Sequence, residues 1–396
     1  LWIGTGRGGL TSLDRETNVY THYPQLSKGS NESILSLCEG SDGVIWVGTW
    51  GAGLYSYDKK TKKIISYPEF KNVNAATVVS IFEDANKNIW VGTYGAGVFF
   101  YNKTTTNFTK YNSTNGLSID NIYNINQDSK KNIWIATDGG GVVKFDTEAN
   151  VFRIYNRDEV SNSISSNSVN CSYEDKDGNL WFGTSNGLNK LDVKTGKFQS
   201  YFEKDGLPND FIYCILPDNK GHFWMSTNKG VSKFNPSIKN ENGSAFRNYD
   251  VNDGLQGLEF NQGAYHQCKD GEIFLGGVNG FNTFQPDKIQ DNPNIPQVHI
   301  ISYKRFGKEV ILDTLIYDKK YLELTYKQNF FSFDFVALDY QMPGKNKYSY
   351  MLEGVDEDWS PPSTQRYASY TELSGGDYVL RVRGANNDGT WNNEGL

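Results

Sequence analysis

The stretch Glu83-Asp84-Ala85-Asn86-Lys87-Asn88-Ile89-Trp90-Val91-Gly92-Thr93-Tyr94-Gly95-Ala96-Gly97 decides the fold. Its centre, Ile89 to Thr93, is short, aromatic and β-branched, as a strand requires. The Asn, Asp and Gly residues on either side are turn formers. Upstream, Val78-Val79-Ser80-Ile81-Phe82 reads as a strand. Downstream, Val98-Phe99-Phe100-Tyr101 and Phe108-Thr109-Lys110-Tyr111 read as two more, parted by a polar turn at residues 102–106. Four short strands joined by tight turns thus fall within about 44 residues.

This unit recurs. W-[IVF]-[GA]-T stands at Trp2, Trp46, Trp90, Trp134 and Trp181, a looser copy is Trp224-Met225-Ser226-Thr227, and a decayed one is Phe274-Leu275-Gly276-Gly277. The spacings are 44, 44, 44, 47, 43 and 50 residues. Four strands per repeat of this length is the signature of a β-propeller blade. A lone four-stranded sheet cannot bury both of its faces, whereas blades packed around an axis can. The repeated Trp supplies the large apolar area between them. The expected fold is all-β: a seven-bladed β-propeller of four-stranded blades over residues 1–290, with first and last repeats incomplete. The first copy starts at its Trp strand and the seventh has no evident fourth strand, so more protein is expected upstream and the way the ring closes is left open.

The repeat stops near Pro286, and residues 291–296, with two prolines and two asparagines, read as a linker. Strand-like runs follow at 297–306, 321–326, 330–337, 348–352, 366–373 and 378–385. Turn signals fall at Pro343-Gly344-Lys345-Asn346 and Ser374-Gly375-Gly376-Asp377. This spacing predicts an immunoglobulin-like β-sandwich over residues 297–396.

Composition excludes several functions. A chain that is 37% hydrophobic and 14% aromatic is not disordered. Net charge is 39 − 46 = −7 with no basic cluster, so nucleic acid is not an expected partner. No apolar run reaches eighteen residues, the length of a membrane helix, and the opening Leu1-Trp2-Ile3-Gly4-Thr5 reads as the interior of a strand rather than as a signal peptide. The four cysteines, Cys38, Cys171, Cys214 and Cys268, lack CxxC spacing. Cys171 and Cys214 each lie ten residues before a repeat Trp, positions too far apart on neighbouring blades for a relaxed disulfide. Free, mostly buried thiols are expected.

Catalytic and metal motifs are not expected either. His22, His222, His266 and His299 form no H-x-x-H pair, and no G-x-S-x-G or P-loop occurs. Gly6-Arg7-Gly8-Gly9 occupies the repeat's turn slot rather than a strand-to-helix junction. The carboxylates Glu83-Asp84 and Glu174-Asp175, with Asp177, recur before their Trp strands. A catalytic pair belongs on one blade, not on several, so turn capping is the expected role. A full calcium-loop pattern is missing. No catalytic residue, metal or cofactor is assigned.

A binding face is readable. Strands in a blade run antiparallel, so the turn after the Trp strand and the link between repeats share one face of the disc. The turns carry Arg7, Trp50, Tyr94, Asp138, Asn186 and Lys229; the links carry Asn31, Asn74, Asn121, Asn167, Asn209 and Phe211. Aromatic rings beside polar groups suit a sugar, and varied residues at a fixed slot suit recognition on a shared frame. Arg7, Trp50, Tyr94, Asp138, Asn186, Lys229 and Phe211 are the candidate ligand residues. Plain solvated turns or an interdomain contact are the competing reading.

Both halves resemble one known arrangement. The core E-D-x-x-x-N-[IL]-W-[VF]-G-T-x-x-[GA]-G resembles the two-component-regulator propeller repeat, best at 83–97 and 174–187. The tail resembles the triple-tyrosine (Y_Y_Y) domain through Tyr348, Tyr350, Leu352, Glu353, Gly354, Asp356 and Trp359, then Arg366, Ala368, Tyr370 and Leu373, then Gly376, Tyr378, Ala385, Asn386, Gly389 and Trp391. The resemblance implies the periplasmic sensor of a hybrid two-component regulator, typical of Bacteroidetes and responsive to oligosaccharides from complex glycans. It implies an upstream propeller of the same chain, a homodimer through the C-terminal domain, a membrane helix and a cytoplasmic histidine kinase. A propeller lyase or glycan-cleaving enzyme, or a protein-binding scaffold, are the alternatives to a sensor.

Overall fold

The computed structural model describes residues 1–23, 33–71, 76–158, 162–238 and 245–396. They form two compact units, Leu1–Lys288 and Ile289–Leu396.

The first unit is a β-propeller. Among the described residues, seven antiparallel sheets follow one another along the chain, five of four strands and two, the first and last, of three. We call them blades 1 (residues 2–23), 2 (34–66), 3 (78–111), 4 (122–155), 5 (169–201), 6 (216–249) and 7 (260–284). Blade 3 shows the pattern, with strands Val78–Glu83, Ile89–Thr93, Val98–Asn102 and Asn107–Tyr111 each paired to its neighbour in sequence. The second strand, which carries the Trp, is buried from end to end in blades 3, 4 and 5. Such a strand has apolar surface on both faces, and only neighbouring blades can cover it.

The repeat Trp does that covering. Trp46 meets Tyr101 of the next blade at 5.5 Å between rings, Trp90 meets Phe145 at 5.9 Å, Trp181 meets Phe234 at 5.7 Å and Trp224 meets Phe284 at 4.9 Å. Each of these partners sits in the third strand of the following blade; Trp181 also meets Phe223, in the second strand of blade 6, at 4.9 Å. Trp134 packs in one cluster with Leu191, which holds the third-strand slot in blade 5.

The recurring Asp is a turn former, as expected, and something more. Asp128 accepts through Oδ1 from the amides of Lys130 and Asn132, and through Oδ2 from the indole N–H of Trp134 at 2.8 Å. Asp84 holds Trp90 at 2.9 Å, Asp175 holds Trp181 at 2.8 Å and Asp218 holds Trp224 at 3.2 Å in the same way. One carboxylate therefore shapes the turn and satisfies the polar atom of the largest buried side chain.

The ring closes through side chains. Arg15, in the last turn of blade 1, bonds Glu272 of blade 7, and its guanidinium lies 5.5 Å from the centroid of Phe274. Phe274 occupies the Trp slot of blade 7, so a cation–π contact stands where other blades have an aromatic pair. Blade 7 is irregular on its axial side. Between Phe260 and Tyr265 its first strand slips register, and the Tyr265 hydroxyl accepts from Asn124 of blade 4 at 3.3 Å.

The second unit holds two sheets. Gln297–Arg305 pairs with Phe330–Leu338, which pairs with Tyr367–Thr371, and Lys308–Glu309 completes that sheet. The other sheet is Lys347–Glu353, Val379–Ala385 and Trp391–Asn392. Val298, Tyr303, Phe335, Tyr348, Leu352, Tyr370 and Val382 share the core. Of the four tyrosines that carry the resemblance, Tyr348 and Tyr370 are buried, and Tyr350 and Tyr378 pack against them half-buried. The strand expected at 321–326 is absent. Residues 321–325 are irregular, Tyr321 and Tyr326 are exposed, and Leu322 is the residue of this run that reaches the core strongly enough to join it. Alternation without a buried face to serve does not make a strand.

Asn292, in the expected linker, is buried and belongs to the sandwich. Its amide donates to Asp339 at 3.0 Å and Asn387 at 2.9 Å, while its carbonyl accepts from Asn386 at 2.9 Å and Thr390 at 3.0 Å. In the core, the Tyr348 hydroxyl accepts from the Ala337 amide at 3.1 Å. Tyr348→Phe strands that buried N–H and is expected to cost about 1–3 kcal/mol in a urea unfolding titration. An unchanged midpoint would remove the hydroxyl from the account of this core.

Candidate functional site

The face that carries the candidate residues is built from the G-T-x-x-G-x-G pattern. In blade 3, Thr93 is fully buried; its hydroxyl donates to Gly97 O at 2.8 Å and accepts from the Ala96 amide at 3.1 Å. Thr137 does the same with Gly141 O and the Gly140 amide. Each turn is then clamped between two links. The Tyr94 amide donates to Thr77 O in the link into its own blade, and Gly95 and Gly97 donate to Asp120 O in the link into the next. Asp138 donates to Asn121 O, and Gly139 and Gly141 to Asn167 O. Turns and links share one face, as the strand alternation predicts, and they share it by backbone hydrogen bonds.

On this frame the side chains of blades 3, 4 and 5 converge. The Tyr94 hydroxyl donates to Asp138 Oδ2 at 2.9 Å, and the Ser168 hydroxyl donates to Asp138 Oδ1. The Tyr123 hydroxyl lies near enough to interact with this carboxylate, and the Tyr94 and Tyr123 rings stack 6.0 Å apart at 28°. Burial opposes ionisation of Asp138, but the hydroxyls of Ser168, Tyr94 and Tyr123 hold its carboxyl below the usual range. Burial, reinforced by the same carboxylate, pushes the Tyr123 hydroxyl well up; Tyr94 is raised chiefly by its bond to Asp138. At neutral pH this is an anionic acceptor holding neutral phenols. Tyr94 remains 39% exposed, so its ring is open to a ligand.

Tyr123 and Ser168 were not among the sequence candidates. Tyr123 sits where the first strand of the blade slips register, between Ile122 and Asn124. The same slip recurs between Ile34 and Ser36, Val78 and Ser80, and Val169 and Cys171. A bulge re-aims a side chain. The signal in the sequence was the aromatic at a slot that holds Leu35, Val79 and Asn170 in other blades.

The other candidates are spread around the disc. Trp50 is 60% exposed, and Arg7 and Lys229 are exposed. The Phe211 ring lies 4.7 Å from that of Tyr213, whose hydroxyl donates to Asn228 at 2.6 Å. Asn186 lines a cleft of about 450 Å³ with Arg157, Ser165, Gln199 and Phe202. Of the link asparagines, Asn167 accepts from the Arg157 amide, and Asn209 accepts from the Phe211 amide while donating to Glu203. These two serve their own links. Asn31 and Asn74 lie outside the described residues.

Cys171 and Cys214 are buried, Cys38 and Cys268 half-buried, and all four are free thiols. Burial pushes the Cys38 and Cys214 thiols up to about 11, so they are not nucleophiles at neutral pH. Cys268, Asp270 and Glu272 lie close enough to hold a metal ion, but Glu272 is bonded by Arg15, which fills the place of a cation. No helix of the described residues is long and apolar enough to cross a membrane.

Comparison with known proteins matches the family described as "Two component regulator propeller" at residues 28–51, 72–95, 116–139, 163–186 and 206–229, and the "Y_Y_Y domain" at residues 339–395. The extracellular domain of a hybrid two component system from B. thetaiotaomicron is 30% identical and superposes with a TM-score of 0.78, covering 100% of this chain and 52% of that one. Histidine kinase P4 of Formosa agariphila is 31% identical over 153 residues, 37% of this chain and 11% of that protein. PorZ of Porphyromonas gingivalis, a bacterial surface component of the type-IX secretion system, is 14% identical with a TM-score of 0.55, covering 96% of this chain and 56% of that one; it shares the fold alone. The chain thus spans about half the length of the solved domain and about a tenth of the kinase.

Proposed function

We propose, from the premise that this chain is built of two-component-regulator propeller repeats followed by a Y_Y_Y domain, that it is the periplasmic ligand-sensing portion of a hybrid two-component receptor. Its likeness over the whole chain to the extracellular domain of such a system supports the reading. The ligand is a glycan-derived oligosaccharide, the binding face is the one formed by turns and links, and the signal passes through the Y_Y_Y domain, paired in a homodimer, to a membrane helix and a histidine kinase.

One observation carries the ligand class. Tyr94 is stacked on Tyr123 and tethered by its hydroxyl to Asp138, and its ring remains exposed. A fixed aromatic platform beside a carboxylate suits a sugar, whose apolar ring face stacks while its hydroxyls donate. Fixing the ring beforehand lowers the entropic cost of binding. Ligand that favours one of two dimer arrangements then shifts their populations.

A thermal-shift screen against oligosaccharides tests this. A ligand at about 100 times Kd stabilises the native state by about 2.7 kcal/mol. Tyr94→Ala and Asp138→Ala are each expected to weaken that ligand by about 10- to 100-fold, the loss of one well-placed contact. Binding that is indifferent to both variants would move the site elsewhere on the molecule.

A further inference from the structure

The opposite side of the disc holds a feature that departs from the repeat. In blades 3 to 6 the residue six places before the Trp is aspartate: Asp84, Asp128, Asp175 and Asp218. In blade 2 that place is Gly40. Trp46 is only 3% exposed, and its indole N–H has no acceptor. Beside it, between blades 2 and 3, opens a cleft of about 350 Å³ lined by Trp46, Tyr67, Tyr101, Lys63, Lys103 and Asp42 among others. Tyr67 stacks on Trp46 at 5.3 Å and 22°, and Tyr101 closes the other side at 5.5 Å.

The vacated slot faces an ammonium and the two carboxylates that share it. A Cβ on Gly40 would lie 2.6 Å from Asp42 Oδ1, 3.2 Å from Lys103 Nζ and 3.4 Å from Glu83 Oε2, so a group entering here must displace the Asp42 carboxylate. The Lys103 ammonium bonds Asp42 at 2.9 Å and Glu83 at 3.2 Å. Asp42 is half-exposed, reaches Lys103, and does not reach Trp46. It is tethered two residues along the turn, where its Oδ1 also accepts the Val44 amide at 3.1 Å. A carboxylate free of that tether can take the place of Asp42 on Lys103 and accept from Trp46 as well.

We propose that this notch binds the carboxylate of a small molecule, free or carried on a sugar ring, between the Trp46 indole N–H and the Lys103 ammonium, with Asp42 as the internal occupant it displaces. The aromatic walls of Trp46, Tyr67 and Tyr101 cover the rest of the ligand. The site is independent of the turn-and-link face, so the failure of either leaves the other standing.

The indole N–H resonance of Trp46, identified by its loss in Trp46→Phe, reports on the site in ¹⁵N-labelled protein. Titration with glucuronate to about 10 mM, the range of weak single-site affinities, is expected to shift it, and uncharged glucose is not. An equal response to acetate assigns the site to free carboxylates; a response to glucuronate alone assigns it to sugar acids. Gly40 is not in the left-handed region, and its Cβ would meet the end of the Asp42 side chain, so Gly40→Asp combined with Asp42→Ala should restore the missing bond and abolish the glucuronate response. Asp42→Ala should strengthen binding several-fold by removing the competitor. No shift with any carboxylate, a glucose response as large as that of glucuronate, or binding retained in the double variant Gly40→Asp with Asp42→Ala would each overturn the proposal.

Discussion

Asp128→Ala is expected to destabilise the propeller by about 3–5 kcal/mol, the range for stranding buried partners of a charged group. The carboxylate serves two turn amides, the Asn132 side chain and the Trp134 indole at once. Alanine leaves the indole N–H and the Asn132 amide buried without acceptors. Blade 2 supplies the control. Trp46 already lacks an acceptor, so Trp46→Phe loses packing alone, whereas Trp134→Phe also removes one of the two donors to Asp128 Oδ2, leaving it the Asn132 side-chain amide. Urea unfolding should show the Trp134 variant to be the more costly by about 1–2 kcal/mol. Equal costs would mean that the Asp–Trp bond contributes nothing net. Asp218 adds a pH dependence. Burial opposes its ionisation, but the amide and ring of His222 and the indole of Trp224 hold its carboxyl below the usual range. Its contribution is therefore complete above the unfolded-state value, about 4, and is lost as pH falls through the lower folded-state value.

Gly141→Ala carries the second large effect. Gly141 has φ +77°, and a Cβ there would lie 2.2 Å from Tyr155 O and 2.9 Å from Asn156 Cα. Both are backbone atoms of the strand and link behind the turn, so nothing flexible can yield. A loss of about 3 kcal/mol or more is expected, from left-handed strain and steric overlap together. Gly221, with φ +84° and nothing within 4 Å of its Cβ, separates the two causes. Gly221→Ala should cost only the left-handed strain, about 1 kcal/mol. If the two variants melt together, the close approach is not a constraint. Gly141→Ala should also disturb ligand binding, because the same turn carries Asp138.

Much of the architecture was legible because it is local. Trp90 with its flanking β-branched residues makes a strand, Asp84 and Asn88 make a turn, and repetition every 43 to 50 residues makes a ring of sheets. The Tyr321–Tyr326 run misled for the complementary reason: its alternation was real, but no sheet face lay beneath it. The candidate face was legible in its placement and only partly in its members. Tyr94 and Asp138 were readable as turn residues, yet their hydrogen bond joins positions 44 residues apart. Tyr123 joins them because a bulge in its strand turns it toward the same carboxylate.

The sequence by itself determined that this chain is a series of four-stranded blades followed by a second β domain, since strand period, turn chemistry and repeat length are properties of neighbouring residues. Only the tertiary structure decided which carboxylate holds which indole, that Arg15 and Phe274 bring the first and last blades together, that Asn292 belongs to the sandwich, and that Gly40 leaves Trp46 without a partner. Each of these depends on side chains brought into contact across a turn, a blade or most of a domain. Hydrogen bonds and ion pairs act over a few ångströms of space, and the distance along the chain does not record them.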